Sequence, residues 1–125
     1  MNNINKTLLF IVFFAMSISS HSQNDINHSK TLQHVLLFQW AKDANPDAKS
    51  EVLSLFKGLS NKIEGMHSFE ILEVTTSSGN YDQVLIFEFA TEEALKRYDE
   101  HPDHLRVKTL APPLISGFAS YDYWV

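Results

Sequence analysis

The stretch Tyr98-Asp99-Glu100-His101-Pro102-Asp103-His104 decides how the rest of the chain is interpreted. Two histidines flank a proline, and a tyrosine stands three residues before the first of them. A residue that precedes proline is pushed out of the α region, so we expect a helix to end at His101. The stretch therefore marks the end of the second helix of a small α+β domain, and the closing strand of that domain should follow it.

On both sides of this stretch, apolar residues alternate as in strands or recur at helical spacing. In chain order, the pattern predicts a strand at 32–40, a helix from Asn45-Pro46 to about Lys62, strands at 68–76 and 82–89, a helix from Thr91 to His101, a further helical turn within 103–109, and a last strand at 114–124. The order βαββαβ is typical of the ferredoxin-like fold, an antiparallel four-stranded sheet with both helices on one face.

The predicted strands are apolar on both faces. In the first of them, His34, Leu36 and Phe38 share one face, whereas Val35 and Leu37 share the other. Two helices can cover only one face of a sheet, so the second face needs another cover. We therefore expect a homodimer in which two sheets close into a barrel.

The N-terminus has the pattern of a secretory signal peptide. Lys6 precedes the apolar run Leu8–Ile18, and small residues around His21 follow it before Gln23. The run is too short to span a bilayer comfortably. The sequence thus predicts a signal peptide at 1–22, a disordered leader at 23–31, a domain at 32–125, an exported (periplasmic or secreted) protein, and no membrane association after cleavage.

The composition narrows the classes of partner. The formal net charge is -5 at pH 7, and loss of residues 1–22 removes one lysine and no acidic residue. An acidic chain without a basic run argues against nucleic acid and anionic membrane surfaces as partners. The chain has no cysteine, so no disulfide can support its small core.

Four motifs together resemble the stress-responsive A/B barrel (Dabb) family of dimeric α/β-barrel proteins. They are His34-Val35-Leu36-Leu37-Phe38, Gly79-Asn80-Tyr81-Asp82, Tyr98-x-x-His101-Pro102-x-His104 and Tyr121-Asp122-Tyr123. The resemblance extends from about Gln33 to Tyr123. It implies a homodimer with a barrel between the sheets and a cavity in each subunit between sheet and helices.

The resemblance also implies candidate site residues. In members similar to olivetolic acid cyclase, which close a polyketide ring by aldol condensation, a tyrosine and a histidine at the positions of Tyr98 and His104 serve as acid/base groups. The His34 position also lies at the pocket. This chemistry is sensible, since an imidazole can remove a proton α to a carbonyl and a tyrosine hydroxyl can hydrogen-bond the enolate oxygen.

Three interpretations of these residues stay open. In the first, His34, Tyr98 and His104 line one cavity as catalytic residues, while His101 and Pro102 hold the helix end. In the second, the imidazoles only bond carbonyls at a helix terminus and Tyr98 packs in the core. In the third, histidines bind a metal ion.

We expect no cofactor and assign no metal ligands, and we expect Asp99 and Asp103 to be solvated. The predicted function is that of a cofactor-free lyase or cyclase acting on a small carbonyl compound in an apolar pocket. The alternatives are a stress-related binding protein for a hydrophobic small molecule and a histidine metal-binding module.

Overall fold

A computed structural model of the protein describes residues 29–125, so the predicted signal peptide and residues 23–28 of the predicted leader lie outside the described range. The elements are β1 (Leu32–Trp40), α1 (Pro46–Leu59), β2 (Met66–Glu73), β3 (Gln83–Phe89), α2 (Glu92–Glu100), α3 (Pro102–Leu110), a 3-10 turn (Pro112–Leu114) and β4 (Ile115–Trp124). The sheet order is β2-β3-β1-β4 and every pairing is antiparallel. The predicted ferredoxin-like α+β fold is confirmed.

Helix α1 begins as the sequence predicts and ends earlier. The Asn45 side chain accepts hydrogen bonds from the backbone N–H groups of Asp47 and Ala48. The helix ends at Leu59 rather than near Lys62, because residues 60–62 bond carbonyls three residues back and the Ser60 hydroxyl donates to the Lys57 carbonyl. Such tighter turns are a common way to satisfy the last carbonyls of a helix.

The junction between α2 and α3 follows from the proline. His101 has an extended backbone (φ -65°, ψ 138°), and Pro102 occupies the first turn of α3. The His101 Nδ1 accepts the backbone N–H of Asp103 at 3.1 Å, so His101 ends one helix and caps the next. After this change of direction, α3 packs against α1.

The bounds of β1 match the prediction, whereas those of β2, β3 and β4 differ from it by up to three residues. β2 covers 66–73 rather than 68–76, because the Ser77 hydroxyl accepts N–H groups from Gly79 and Tyr81 and so directs the chain into a turn. Asn80 adopts the left-handed conformation in that turn, with φ 58°. At the other edge, Thr31 exchanges two backbone hydrogen bonds with Val125, so the sheet includes the last residue of the predicted leader.

The core lies between the sheet and the helices. It is rich in aromatic rings, and its most deeply buried side chains come from α1, β3 and α2: Val52, Phe56, Leu59, Leu85, Phe87, Phe89 and Tyr98. Among residues 29–125, no helix is long and apolar enough to cross a membrane.

The opposite side of the sheet, here called the outer face, carries Val35, Leu37, Val84, Ile86, Tyr121 and Tyr123. Val35 stands at its centre, opposite Ile86 on β3 and Tyr121 on β4. Tyr121 is 58% exposed and Tyr123 is 49% exposed in the single chain. The outer face thus has an uncovered apolar centre, as the strand patterns predict, and it also carries Gln33, Glu70 and Glu88.

Candidate active site

A cavity of about 460 Å³ opens between β1, β4 and the α2–α3 junction. Most of its wall is apolar and is formed by Leu36, Phe38, Phe56, Val107, Ile115 and Phe118. Its polar side chains, here called the polar cluster, are His34, Asp99, His104, Lys108, Ser120 and Asp122. An apolar pocket with a few convergent polar groups is the usual form of a small-molecule site.

His34 is fixed by its neighbour across the sheet. It lies on the inner face of β1, directly opposite Asp122 on β4. The His34 Nδ1 is 2.5 Å from the Asp122 Oδ1. A carboxylate can only accept, so Nδ1 donates, and the remaining nitrogen, Nε2, carries the lone pair when the ring is neutral. Asp122 therefore selects both the orientation and the tautomer of His34.

His104 is held in the same way by the end of α2. Its Nδ1 is 3.2 Å from the backbone carbonyl oxygen of Asp99, which can only accept, so this nitrogen carries the proton. His104 is 6% exposed, and burial lowers its pKa below the ordinary value, against the opposing effect of the Asp99 carbonyl. The ring is therefore neutral at neutral pH, with a basic Nε2.

Tyr98 packs behind the two imidazoles. Its ring stacks on His104 with centroids 4.1 Å apart and meets His34 edge-on at 5.5 Å. The structure thus brings the three predicted residues together. Tyr98 itself is fully buried and also contacts Phe87 and Phe89. It does not line the cavity, and the prediction that it would is wrong.

The Tyr98 hydroxyl is a buried donor without a hydrogen-bond partner among residues 29–125. Burial raises the pKa of this hydroxyl well above its ordinary value, and the nearby carboxylates of Asp99 and Asp122 add to the effect. The hydroxyl therefore keeps its proton at any physiological pH. It can donate a hydrogen bond, and it cannot act as a base.

Asp99 and Asp103 make ion pairs while they stay accessible to solvent: the Asp99 side chain is 52% exposed, and that of Asp103 is partly exposed. The Asp99 carboxylate is 3.3 Å from the Lys108 Nζ and 3.5 Å from the His104 Nδ1. Asp103 pairs with Lys62 at 2.5 Å, and this contact lowers the pKa of Asp103. The first carboxylate belongs to the pocket, whereas the second ties α3 to the segment after α1.

Sequence reasoning did not assign Asp122, Asp99 and Lys108 to the site. Asp122 becomes a neighbour of His34 only once the β1–β4 register is known. Lys108 follows His104 by four residues on α3, so helical spacing alone could have placed the two on one side. His101 is not among the lining residues. Within 29–125, no group of three potential ligands could hold a metal ion, so the metal-binding interpretation has no geometric support.

Comparisons with known proteins agree with this architecture. The family profile described as "Stress responsive A/B Barrel Domain" matches residues 32–125. None of the curated proteins matches the chain.

Solved structures with the same fold come from several organisms. A Dabb family protein from Mesorhizobium loti is 26% identical with a TM-score of 0.63, covering 75% of this chain and 95% of that one. A dimeric ferredoxin-like protein from Thermobifida fusca is 20% identical (TM-score 0.66; 78% and 93% covered). A hydroxynitrile lyase from Passiflora edulis is 9% identical (TM-score 0.69; 78% and 94% covered).

Proposed function

The chain belongs to the stress-responsive A/B barrel domain family, and we propose that it is an exported homodimer that performs acid/base chemistry, without a cofactor, on a small apolar carbonyl compound. The observation that carries this proposal is the arrangement of His34 and His104. Both rings are anchored through Nδ1 to oxygen acceptors, which leaves both Nε2 atoms available beside an apolar cavity.

In the proposed reaction, the Nε2 of His104 removes a proton from the carbon next to the ligand carbonyl. The electron pair of the broken C–H bond moves to the carbonyl oxygen and forms an enolate. The Tyr98 hydroxyl stabilises that oxygen by donating a hydrogen bond. Because Tyr98 packs behind the imidazoles, one of these rings must shift when the ligand binds. The imidazolium formed on His104 then returns a proton from Nε2 to the product, while His34, oriented by Asp122, lines the same pocket.

The lyase or cyclase class is favoured by the pocket and by the fold. Most of the pocket wall is apolar, and a less polar surrounding strengthens the hydrogen bonds made against it. A hydroxynitrile lyase has the same fold, so the fold supports lyase chemistry in at least one protein.

The second candidate is a binding protein for a hydrophobic small molecule. The observation favouring it is the enclosed Tyr98 hydroxyl, which does not reach the cavity in the described conformation.

Deuterium exchange tests the proposal without knowledge of the natural substrate. The ketone 4-phenylbutan-2-one has an apolar ring and exchangeable protons on both sides of its carbonyl. In D2O, the protein should accelerate loss of the α-proton signals in the ¹H NMR spectrum beyond the rate in buffer. If the ketone binds and its α-protons exchange no faster than in buffer, the catalytic proposal fails and the binding role stands.

The proposed dimer places the outer faces of two sheets against each other. Light scattering of the mature domain at micromolar concentration should give the mass of a dimer. Val35→Lys puts a charge at the centre of the outer face and should shift the mass to that of a monomer, because an unpaired buried charge is costly. Leu105→Lys, at a half-exposed position on α3, is the matched control and should remain dimeric. A wild-type monomer would contradict this assembly.

Export is proposed from the N-terminal pattern of residues 1–22. Mass spectrometry of the protein recovered from the native cell envelope should find an N-terminus near Gln23. Recovery of chains that still begin at Met1, from the cytoplasm alone, would show that this segment is not a cleaved signal.

A further inference from the structure

The charges of the polar cluster are not balanced. Three of its side chains are charged at neutral pH, namely Asp99, Lys108 and Asp122. The Lys108 Nζ lies 3.3 Å from the Asp99 carboxylate and 3.5 Å from its carbonyl oxygen, so the lysine is already paired. Within the described part of the chain, Asp122 has only the His34 ring as an ion-pair partner. With neutral imidazoles, the pocket therefore carries one uncompensated negative charge.

The hydrogen-bonding groups of the pocket also disfavour an anionic ligand. The Nδ1–H groups of His34 and His104 are occupied by Asp122 and Asp99. The two Nε2 atoms therefore offer lone pairs and no protons to a ligand. A bound carboxylate would meet these lone pairs and the Asp122 carboxylate, and like charges brought together in an interface are repelled. A neutral carbonyl needs only one donor, which the Ser120 hydroxyl in the cavity lining can supply.

We propose that this pocket selects uncharged carbonyl compounds, ketones or aldehydes with an apolar tail, and rejects carboxylates of the same shape. The inference rests on the proposed function only in taking this cavity as the ligand site. The tail would lie against the aromatic wall, where Phe38 is 6.0 Å from Phe56 and 5.5 Å from Phe118 between ring centroids. Asp122 is the specificity-determining residue in this proposal, and Lys108 compensates Asp99 without attracting the ligand.

A matched pair of ligands tests the proposal. In 3-phenylpropanoate, a carboxylate oxygen stands where 4-phenylbutan-2-one has a methyl group, and the two molecules are otherwise alike. Dissociation constants are measured by NMR titration at about pH 8, where an ordinary imidazole is neutral. We expect the ketone to bind at least about tenfold more tightly than the carboxylate, because of like-charge repulsion.

Two variants identify the origin of the preference. Asp122→Asn removes the uncompensated charge and keeps the shape, so the two ligands should bind within a few-fold of each other. Lys108→Met should leave the preference for the ketone in place or increase it, since Asp99 loses its partner. Added salt should reduce the preference of the wild-type protein, because partly exposed charges are screened.

The opposite results would overturn the proposal. Equal or tighter binding of the carboxylate, lost in Lys108→Met, would show that Lys108 anchors anions. Failure of both ligands to bind at millimolar concentration would show that the pocket makes no such selection. A preference for the ketone without α-proton exchange would leave the charge selection standing while the catalytic proposal fails.

Discussion

Replacing His104 by asparagine should abolish the α-proton exchange of 4-phenylbutan-2-one, with a loss of about 10²–10⁴-fold, the usual contribution of a general base. The asparagine amide can donate to the Asp99 carbonyl as the His104 Nδ1 does, so the local fold is kept while the basic Nε2 is lost. His104→Ala should show the same loss of exchange with the dimer intact. NMR measures the exchange rate, and light scattering shows whether the dimer is intact.

The control is His67→Asn, at a half-exposed position on β2 beside Glu88. It should leave exchange unchanged.

The pH dependence gives a second check, because only the neutral ring can accept a proton. Exchange by the wild-type protein should be constant near neutral pH and should fall only below pH 6.5, since burial lowers the pKa of His104 beneath that value. Normal exchange in His104→Asn, together with a lowered melting temperature, would assign His104 a structural role.

Replacing Tyr98 by phenylalanine should stabilise the protein and slow the exchange. A buried hydroxyl without a partner costs about 1–3 kcal/mol, so its removal should raise the free energy of unfolding by about 1 kcal/mol. Loss of an oxyanion donor should slow exchange by about 10²-fold, while the affinity for the ketone changes little. Urea unfolding, exchange NMR and ligand titration measure these three quantities on the same variant.

The matched control for this change is Tyr81→Phe, which removes a hydroxyl in the turn before β3, outside the lining of the cavity. Tyr81→Phe should change the free energy of unfolding by no more than a few tenths of a kcal/mol, as is usual away from the core and the site. It should leave the exchange rate unchanged. If Tyr98→Phe instead destabilises the protein and leaves exchange unchanged, the hydroxyl makes a structural hydrogen bond and takes no part in the chemistry.

Most of the fold could be predicted from local patterns. The apolar runs at 32–40 and 82–89, the Asn45-Pro46 helix start and the break at Pro102 are all properties of short segments. The errors at Lys62 and in residues 74–76 arise where serine side chains bond the backbone and end an element early. Such hydrogen bonds compete with helices and strands and leave little trace in hydrophobic periodicity.

The site could be predicted only in part, because some of its contacts join segments that are distant in the sequence. His34, Tyr98 and His104 stand in recognisable motifs, and the structure brings their rings together. The assignment of Asp122 to His34 depends on the register between two strands at opposite ends of the chain. The enclosure of Tyr98 depends on packing by Phe87 and Phe89 on β3, which no motif encodes.

The pairing of His34 with Asp122 joins residues that are 88 positions apart in the chain. Contacts of such long sequence separation form slowly, because the entropy of closing a large loop must be lost before the contact can stabilise anything. The pocket therefore cannot exist in a nascent chain that lacks its last ten residues, whatever helices and hairpins have already formed. After dilution from denaturant, ligand binding should return with the slowest phase of refolding, later than the helical circular dichroism signal.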